Sequence, residues 1–311
     1  MQAKTNTFTK HKFIHKLTKL SILFLTFIFA SIKSEKADLV AFSFNRPIQL
    51  YALLESLDTY VTGLEQVHII YRSTNENYEQ AYQEVIEQFP YVIFHKQGAN
   101  PKKDFKPLTL HASFDSPCAY ILFAVDDIIV KDFINIENDI ELLKETNAYG
   151  FYYRLGLNIN WNYPYNRANK VSKIEKINDD VHQWHLKNGT YDWGYPNTVD
   201  MTMYKKSDIQ NDLKRMHYHA PNPLEGNWAR LGNKIRKSGK TGLCHEKSKI
   251  VNLPLNRVQN VYQNRHMNTL GAEELLEKFN QGLKIDITLL YQIKNRSAHM
   301  DYVPQFIERV Y

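Results

Sequence analysis

Short apolar runs alternate along this chain with stretches whose apolar residues recur at helical spacing. Leu39 to Phe44 is an apolar run ending in Asn45-Arg46-Pro47. Runs of this kind read as strands buried on both faces. Pro47 suits the first turn of a helix, and Ile48 to Tyr60 carries the helical period. Val67 to Tyr71 predicts a second strand, ending in Arg72-Ser73-Thr74-Asn75, and Glu76 to Gln88 the next helix, broken by Pro90. Tyr91 to Phe94 predicts a third short strand. A loop with Gly98, Pro101 and Pro107 then leads to a helix near Leu108 to Phe114. Tyr120 to Val125 is apolar throughout, runs into Asp126-Asp127, and is followed by Ile128-Ile129-Val130. Strands alternating with helices in this way predict a parallel sheet.

Beyond Val130 the pattern loosens. It predicts helices over Phe133 to Thr146, Ser207 to Met216, Leu224 to Ser238 and Ala272 to Gln281, the last closed by Gly282. Strands are expected at Phe151 to Leu157, Met201 to Tyr204 and Ile250 to Leu253. Residues 158–200 hold much Asn, Tyr and Trp and few aliphatics, and read as a long loop-rich surface. At the N-terminus, Lys4, Lys10, Lys12, Lys16 and Lys19 precede an apolar stretch, Leu20 to Ile32, interrupted only by Ser21, Thr26 and Ser31. The stretch reads as a secretory signal with Ala30 near a cleavage site, as a signal anchor, or as a buried helix. By the positive-inside rule the lysines stay cytoplasmic and the main domain is exported, though tethering from the cytoplasmic side is the rival arrangement. The expected organisation is 1–36 as basic terminus plus signal or anchor, 37–135 as one half of an α/β domain, and 136–311 as the other.

Composition adds little against this frame. At 311 residues, with 43% apolar and 23% charged residues, the chain is an ordinary globular length and mixture. The net charge of +6 gathers partly in the N-terminal lysines. The remainder suits phosphate-bearing ligands and is too weak to argue nucleic acid. Aromatics, at 13%, are the excess, and flat amphipathic rings suit stacking on bases and sugars as well as core packing. The cysteines Cys118 and Cys244 leave one disulfide or two free thiols open. No CxxC, HExxH or P-loop pattern is present.

Candidate chemistry lies where the strands end. In a parallel sheet the carboxyl ends share one edge, where ligands bind. That edge receives Ser43, Asn45 and Arg46 from the first strand and Arg72 and Ser73 from the second. It also receives Lys106 from the loop region before the acidic strand, and Asp126 and Asp127 after it. Each alone is an ordinary cap or surface charge, and joint placement carries the argument. Hydroxyl, amide and guanidinium groups can hold a base, a ribose and a diphosphate. Two adjacent carboxylates repel unless a cation holds them, and Mg²⁺ or Mn²⁺ bridging a diphosphate is the natural one.

The order of strand, Asn45-Arg46-Pro47, helix, second strand ending in Arg72, and apolar strand into Asp126-Asp127 resembles the nucleotide-sugar domain of GT-A-type glycosyltransferases. It is particularly similar to the family 2-like enzymes. Val125-Asp126-Asp127 is similar to their DXD motif, with the acids adjacent and Ile128 in the third position. The resemblance implies a GT-A-like fold with a mixed, mostly parallel central sheet flanked by helices. It assigns 37–135 to the donor and 136–311 to the acceptor. It implies transfer of a sugar from a nucleotide diphosphate to a hydroxyl of a glycan, lipid or protein, with Mn²⁺ or Mg²⁺ as Lewis acid for the leaving diphosphate.

By the pattern, Asp127 touches metal and phosphate, and Asp126 touches ribose or metal. An inverting enzyme also needs a carboxylate base. Glu225, in Pro221-Asn222-Pro223-Leu224-Glu225-Gly226-Asn227-Trp228, fits that part or is a first-turn acid favoured by the helix dipole, and Asp200 is the runner-up. Trp193 and Tyr195 are candidate platforms for an acceptor sugar, or core. His266 is the candidate third metal ligand, with His245 competing. Two other classes stay open: a catalytically silent relative that binds glycans or a partner, and a sugar nucleotidyltransferase. The latter normally has a Gly-rich phosphate loop, which Phe42-Ser43-Phe44-Asn45-Arg46 is not.

Overall fold

The structure, a computed structural model, describes residues 35–256 and 270–310. The apolar stretch 20–32 and His266 lie outside the described residues. No helix among the described residues is long and apolar enough to cross a membrane.

Strands β1 (Ala37–Phe44), β2 (Leu64–Arg72), β3 (Ile93–Lys96) and β4 (Tyr120–Val125) are parallel, with β1 between β4 and β2. Phe42 lies opposite both Ile70 and Val125, and Phe44 opposite Arg72, so the carboxyl ends fall level. Successive strand residues point to opposite faces, and both faces are covered. Leu39, Ala41, Leu122 and Ala124 join one hydrophobic cluster with Leu50, Leu53, Leu54 and Leu57 of helix α1 (Pro47–Tyr60). Val40, Phe42, Ile121 and Phe123 join the other. That burial on both sides is why residues 39–42 of β1 and the whole of β4 are apolar without alternation.

The parallel core is extended by β6 (Gly150–Tyr152), β7 (Ile174–Lys176), β8 (Val181–His185), β9 (Thr202–Lys205) and β10 (Thr241–His245). A short β5 (Ile128–Val130) follows the acidic pair and pairs antiparallel with β11 (Ile250–Asn252). Among the described residues the large sheet runs β7-β8-β10-β6-β9-β4-β1-β2-β3, with β9 antiparallel to both β4 and β6. The α/β class expected from the sequence is borne out.

The remaining helices are α2 (Glu76–Gln88), α3 (Pro101–Phe114), α4 (Ile136–Thr146), α5 (Lys206–Arg215), α6 (Pro221–Lys237) and α7 (Ala272–Asn280). Helix α2 opens on Asn75, whose side chain accepts the Tyr78 N–H, a cap worth about 1 kcal/mol. Helix α3 starts at Pro101 rather than near Leu108. Pro101 sits where a missing N–H costs nothing, and Pro107 is tolerated inside the helix. The strand expected to reach Leu157 stops at Tyr152. Strands β7, β8 and β10 were not expected. Gly242 interrupts the apolar run of β10, and a Cβ there would come within 2.8 Å of the Trp184 and Tyr152 rings. Residues 158–200 are loop-rich as expected but not merely surface, since Ile159, Tyr163, Trp193 and Val199 are buried. Cys118 and Cys244 are free thiols, with Cys118 part-exposed rather than core.

Candidate active site

A cleft of about 1080 Å³ opens over the level carboxyl ends of β1, β2 and β4. Its lining takes Ser43, Arg46, Arg72, Asp126 and Asp127 from the sheet edge, and Arg154, Tyr195, Asp200, Glu225 and His299 from the chain beyond residue 135. The two regions of sequence separated as donor and acceptor halves therefore meet at one cavity.

The acidic pair is a turn between β4 and β5. Asp126 is buried and its Oδ2 accepts the Phe44 N–H at 3.2 Å, which ties it to the end of β1. Asp127 Oδ1 accepts from Asn252 Nδ2 at 3.1 Å, and its carbonyl accepts the Leu253 N–H. The other oxygen of each acid faces the same atom: Arg46 Nη1 lies 3.0 Å from Asp126 Oδ1 and 3.1 Å from Asp127 Oδ2. Burial alone would lower the Arg46 guanidinium, but the two carboxylates outweigh it and raise it above its ordinary value. Burial, with the charge of Asp127 beside it, pushes the Asp126 carboxyl above the usual range while Arg46 opposes.

A magnesium or manganese ion would need oxygen donors here. Among the described residues no group of three or more His, Cys, Asp or Glu is arranged to hold a metal. An all-protein cage is therefore not built. An ion held by one or two carboxylates and by substrate phosphates needs none, and Asp126 and Asp127 fit that lesser demand once Arg46 yields an oxygen.

The other sequence-derived donor candidates divide. Ser43 lines the cleft, its Oγ paired with the Tyr82 hydroxyl at 2.7 Å. Arg72 lines it too, with its guanidinium 4.9 Å from the centre of the Phe44 ring. Asn45 does not. It adopts φ 52°, a left-handed conformation that Asn tolerates, and exchanges two hydrogen bonds with Thr74, joining the ends of β1 and β2. Lys106 does not either: its Nζ donates to the carbonyls of Lys214 and Met216, capping the end of α5. The lysine of α3 that reaches the cleft is Lys102.

Glu225 also lines the cleft and stands in the second turn of α6, not its first, so the helix-dipole explanation does not account for it. Its Oε1 accepts the Thr198 hydroxyl at 2.6 Å and the Val199 N–H at 3.2 Å. Burial, then the charge of Asp200, push its pKa up to about 7 against those bonds. Asp200 sits in a tight three-residue turn, closed by a bond from the Met201 N–H to the Val199 carbonyl, with Met201 at φ 38°. Burial raises Asp200 to about 6, with Asp127 and Asp192 adding and Arg154 opposing. His299 Nε2 lies 4.0 Å from Asp200 Oδ2, and burial lowers its pKa.

Trp193 is core, only 1% exposed, with Nε1 donating to the Ile159 carbonyl at 2.9 Å. It offers no platform. Tyr195 does line the cleft, and its carbonyl takes a bond from Arg154. The exposed rings at the cleft are Tyr165 and Tyr191, 5.5 Å apart, with Tyr191 at φ 42°. His245 is not at the cleft but in β10, bonded to Asp180 at 2.8 Å.

Sequence reasoning missed Arg154, Thr198, Tyr165, Tyr191 and His299. Arg154 had a signal, as a lone charge inside the apolar Phe151-Tyr152-Tyr153-Arg154-Leu155. The others had none.

No family model matches the chain. Over 269 residues it is 27% identical to the bifunctional glycosyltransferase pgtA of Dictyostelium discoideum, covering 76% of this chain. The chain spans 34% of that protein's length, about a third. The resemblance to glycosyltransferases read from the motifs is thus met again over most of the chain. Among solved structures, S. aureus TarS in complex with UDP superposes at a TM-score of 0.46 with 11% identity, covering 69% of this chain and 59% of that one. A 4-diphosphocytidyl-2C-methyl-D-erythritolsynthase from Anaerococcus prevotii does so at 0.38 with 10% identity, covering 80% and 97%. Likenesses this distant say nothing of what the chain binds.

Proposed function

We propose that the cleft transfers a sugar from a nucleotide diphosphate to an acceptor hydroxyl with inversion, Glu225 acting as base. The observation that carries this is the pairing of unlike sites in one cavity: a carboxylate pair bridged by Arg46 at the sheet edge, and Glu225, a carboxylate held by Thr198 and Val199 that burial and Asp200 push up to about 7. A base is most effective when its pKa lies near the working pH.

In this reading Ser43, Arg46, Arg72 and Lys102 hold the nucleotide diphosphate, and Asp126 orients its ribose or shares the metal. A Mg²⁺ or Mn²⁺ ion held by Asp127 and the phosphates would supply Lewis-acid stabilisation of the departing diphosphate. Glu225 accepts the proton of the acceptor hydroxyl as that oxygen attacks the sugar carbon and the bond to phosphate breaks. Thr198 fixes which Glu225 oxygen is free for this. Asp200 and His299 bind acceptor hydroxyls, Arg154 braces the loop that carries Tyr195 through the Asp192 and Tyr195 carbonyls, and Tyr165 and Tyr191 form an exposed stacking surface, which favours a glycan acceptor. The stretch 20–32 serves as export signal or membrane tether, checked by fractionating cells expressing the chain with and without it.

The test is to incubate the full chain with a panel of UDP-, GDP-, CDP- and TDP-sugars and Mn²⁺ and measure nucleotide diphosphate release. At least one donor is consumed by the wild type and not by Asp127→Asn. Folded protein that releases none from any donor overturns the reading.

A further inference from the structure

We infer that Arg46 occupies the place of a divalent cation between Asp126 and Asp127 until a diphosphate draws it away, so that metal binds this site only together with the nucleotide. The inference rests on the donor-site reading only for the identity of the displacing ligand.

The geometry leaves a metal ion no vacant oxygen pair. Arg46 Nη1 bridges Asp126 Oδ1 and Asp127 Oδ2 at 3.0 and 3.1 Å. The remaining carboxylate oxygens are engaged by the Phe44 N–H and Asn252 Nδ2. The rest of the guanidinium is held too, with Nε donating to Asn256 Oδ1 at 2.9 Å and Nη2 to the Asn256 carbonyl. All three of its nitrogens are thus held, by three residues, and every oxygen of the acid pair already accepts a hydrogen bond.

Charge gives the same answer. Two carboxylates and one guanidinium leave a net charge of −1 at the floor of the cleft, and a divalent ion entering there meets the guanidinium at close range. A diphosphate changes the balance. It brings further negative charge and paired oxygens that match the guanidinium fork. Once Arg46 turns to the phosphates, the two carboxylate oxygens it held would be open to a metal ion, and the phosphates would supply further oxygen ligands. The energetic cost of stripping Arg46 from buried acids is met only when donor and metal arrive together. An enzyme built this way would not hold a tight metal ion in its empty state.

The experiment is a Mn²⁺ titration of the full chain followed by loss of the free-ion paramagnetic resonance signal, with and without UDP or GDP. Wild type is expected to bind Mn²⁺ weakly alone and at least about tenfold more tightly with a nucleotide. Arg46→Gln is expected to bind Mn²⁺ alone at least about tenfold more tightly than wild type, and Asp127→Asn added to it to abolish that gain. Should Arg46→Gln fail to fold, Asn256→Ala loosens the guanidinium with all charges kept, and a severalfold gain in Mn²⁺ affinity is expected. Equal Mn²⁺ affinity in wild type and the folded variants overturns the inference. A gain in the variants with no effect of either nucleotide leaves Arg46 as the resident cation and removes the diphosphate as what displaces it. Mn²⁺ binding that tightens with nucleotide but is unchanged by the variants overturns the inference too, because the coupling then does not run through Arg46.

Discussion

The Thr198 hydroxyl donates to Glu225 Oε1 at 2.6 Å while the same oxygen of Thr198 accepts the Asp200 N–H at 3.1 Å. One side chain therefore holds the Glu225 carboxylate and anchors the backbone that carries Asp200, in the cleft that Asp126 and Asp127 also line. Glu225→Gln keeps the shape and removes the base. Its turnover is expected to fall by about 10²–10⁴-fold with nucleotide affinity unchanged, checked by single-turnover kinetics beside a binding titration.

The pH profile follows from the same contact. With Glu225 at about 7, kcat/KM is expected to rise about tenfold per unit below that pH and level off above it. Thr198→Val removes a bond that favours the charged carboxylate, so the break moves to higher pH. A profile unchanged by that substitution would detach Glu225 from the proton transfer.

Stability carries the opposite sign. The folded pKa of Glu225, about 7, lies above its ordinary 4.5, and that of Asp200, about 6, above 3.8. The fold thus favours the protonated acids, and their contribution is full below the ordinary values and lost as pH rises through about 6 and 7. At pH 8 Glu225→Gln is expected to melt above wild type, by on the order of 2–4 °C, and at pH 4 to show no gain. Thermal melts at the two values check this.

The aromatic residues separate into core and surface. Trp193→Phe loses the bond to the Ile159 carbonyl and is expected to lower stability by about 1–3 kcal/mol while leaving the acceptor KM alone. Tyr165→Ala is expected to do the reverse, raising the acceptor KM about two- to tenfold with an unchanged denaturation midpoint. Denaturant titration and acceptor kinetics on both variants decide it.

The sheet-edge part of the cleft was legible because its residues follow strands whose two-faced burial writes itself as unbroken apolar runs. Ser43, Arg46, Arg72, Asp126 and Asp127 all come from such strand ends. Asn45 and Lys106 show the limit of that reasoning: nearness to the edge does not say whether a side chain turns to the cleft or pairs with a neighbouring backbone. The rest of the cleft lining was legible only at Glu225, Asp200 and Tyr195. Its other parts come from loops brought together by long-range packing, as when Tyr163 N–H meets Ser297 Oγ and sets His299 beside Asp200. Trp193 looked like a platform because ring chemistry is the same in a core and in a binding site, and only burial tells them apart.

The most direct test is calorimetric titration of the full chain with UDP and GDP, with and without Mn²⁺, on wild type and Asp127→Asn. The structure leads us to expect that at least one nucleoside diphosphate binds, that Mn²⁺ tightens it, and that Asp127→Asn removes the metal's effect. Folded protein that binds neither nucleotide, or that binds one equally well without the metal and without the Asp127 charge, would contradict the donor site.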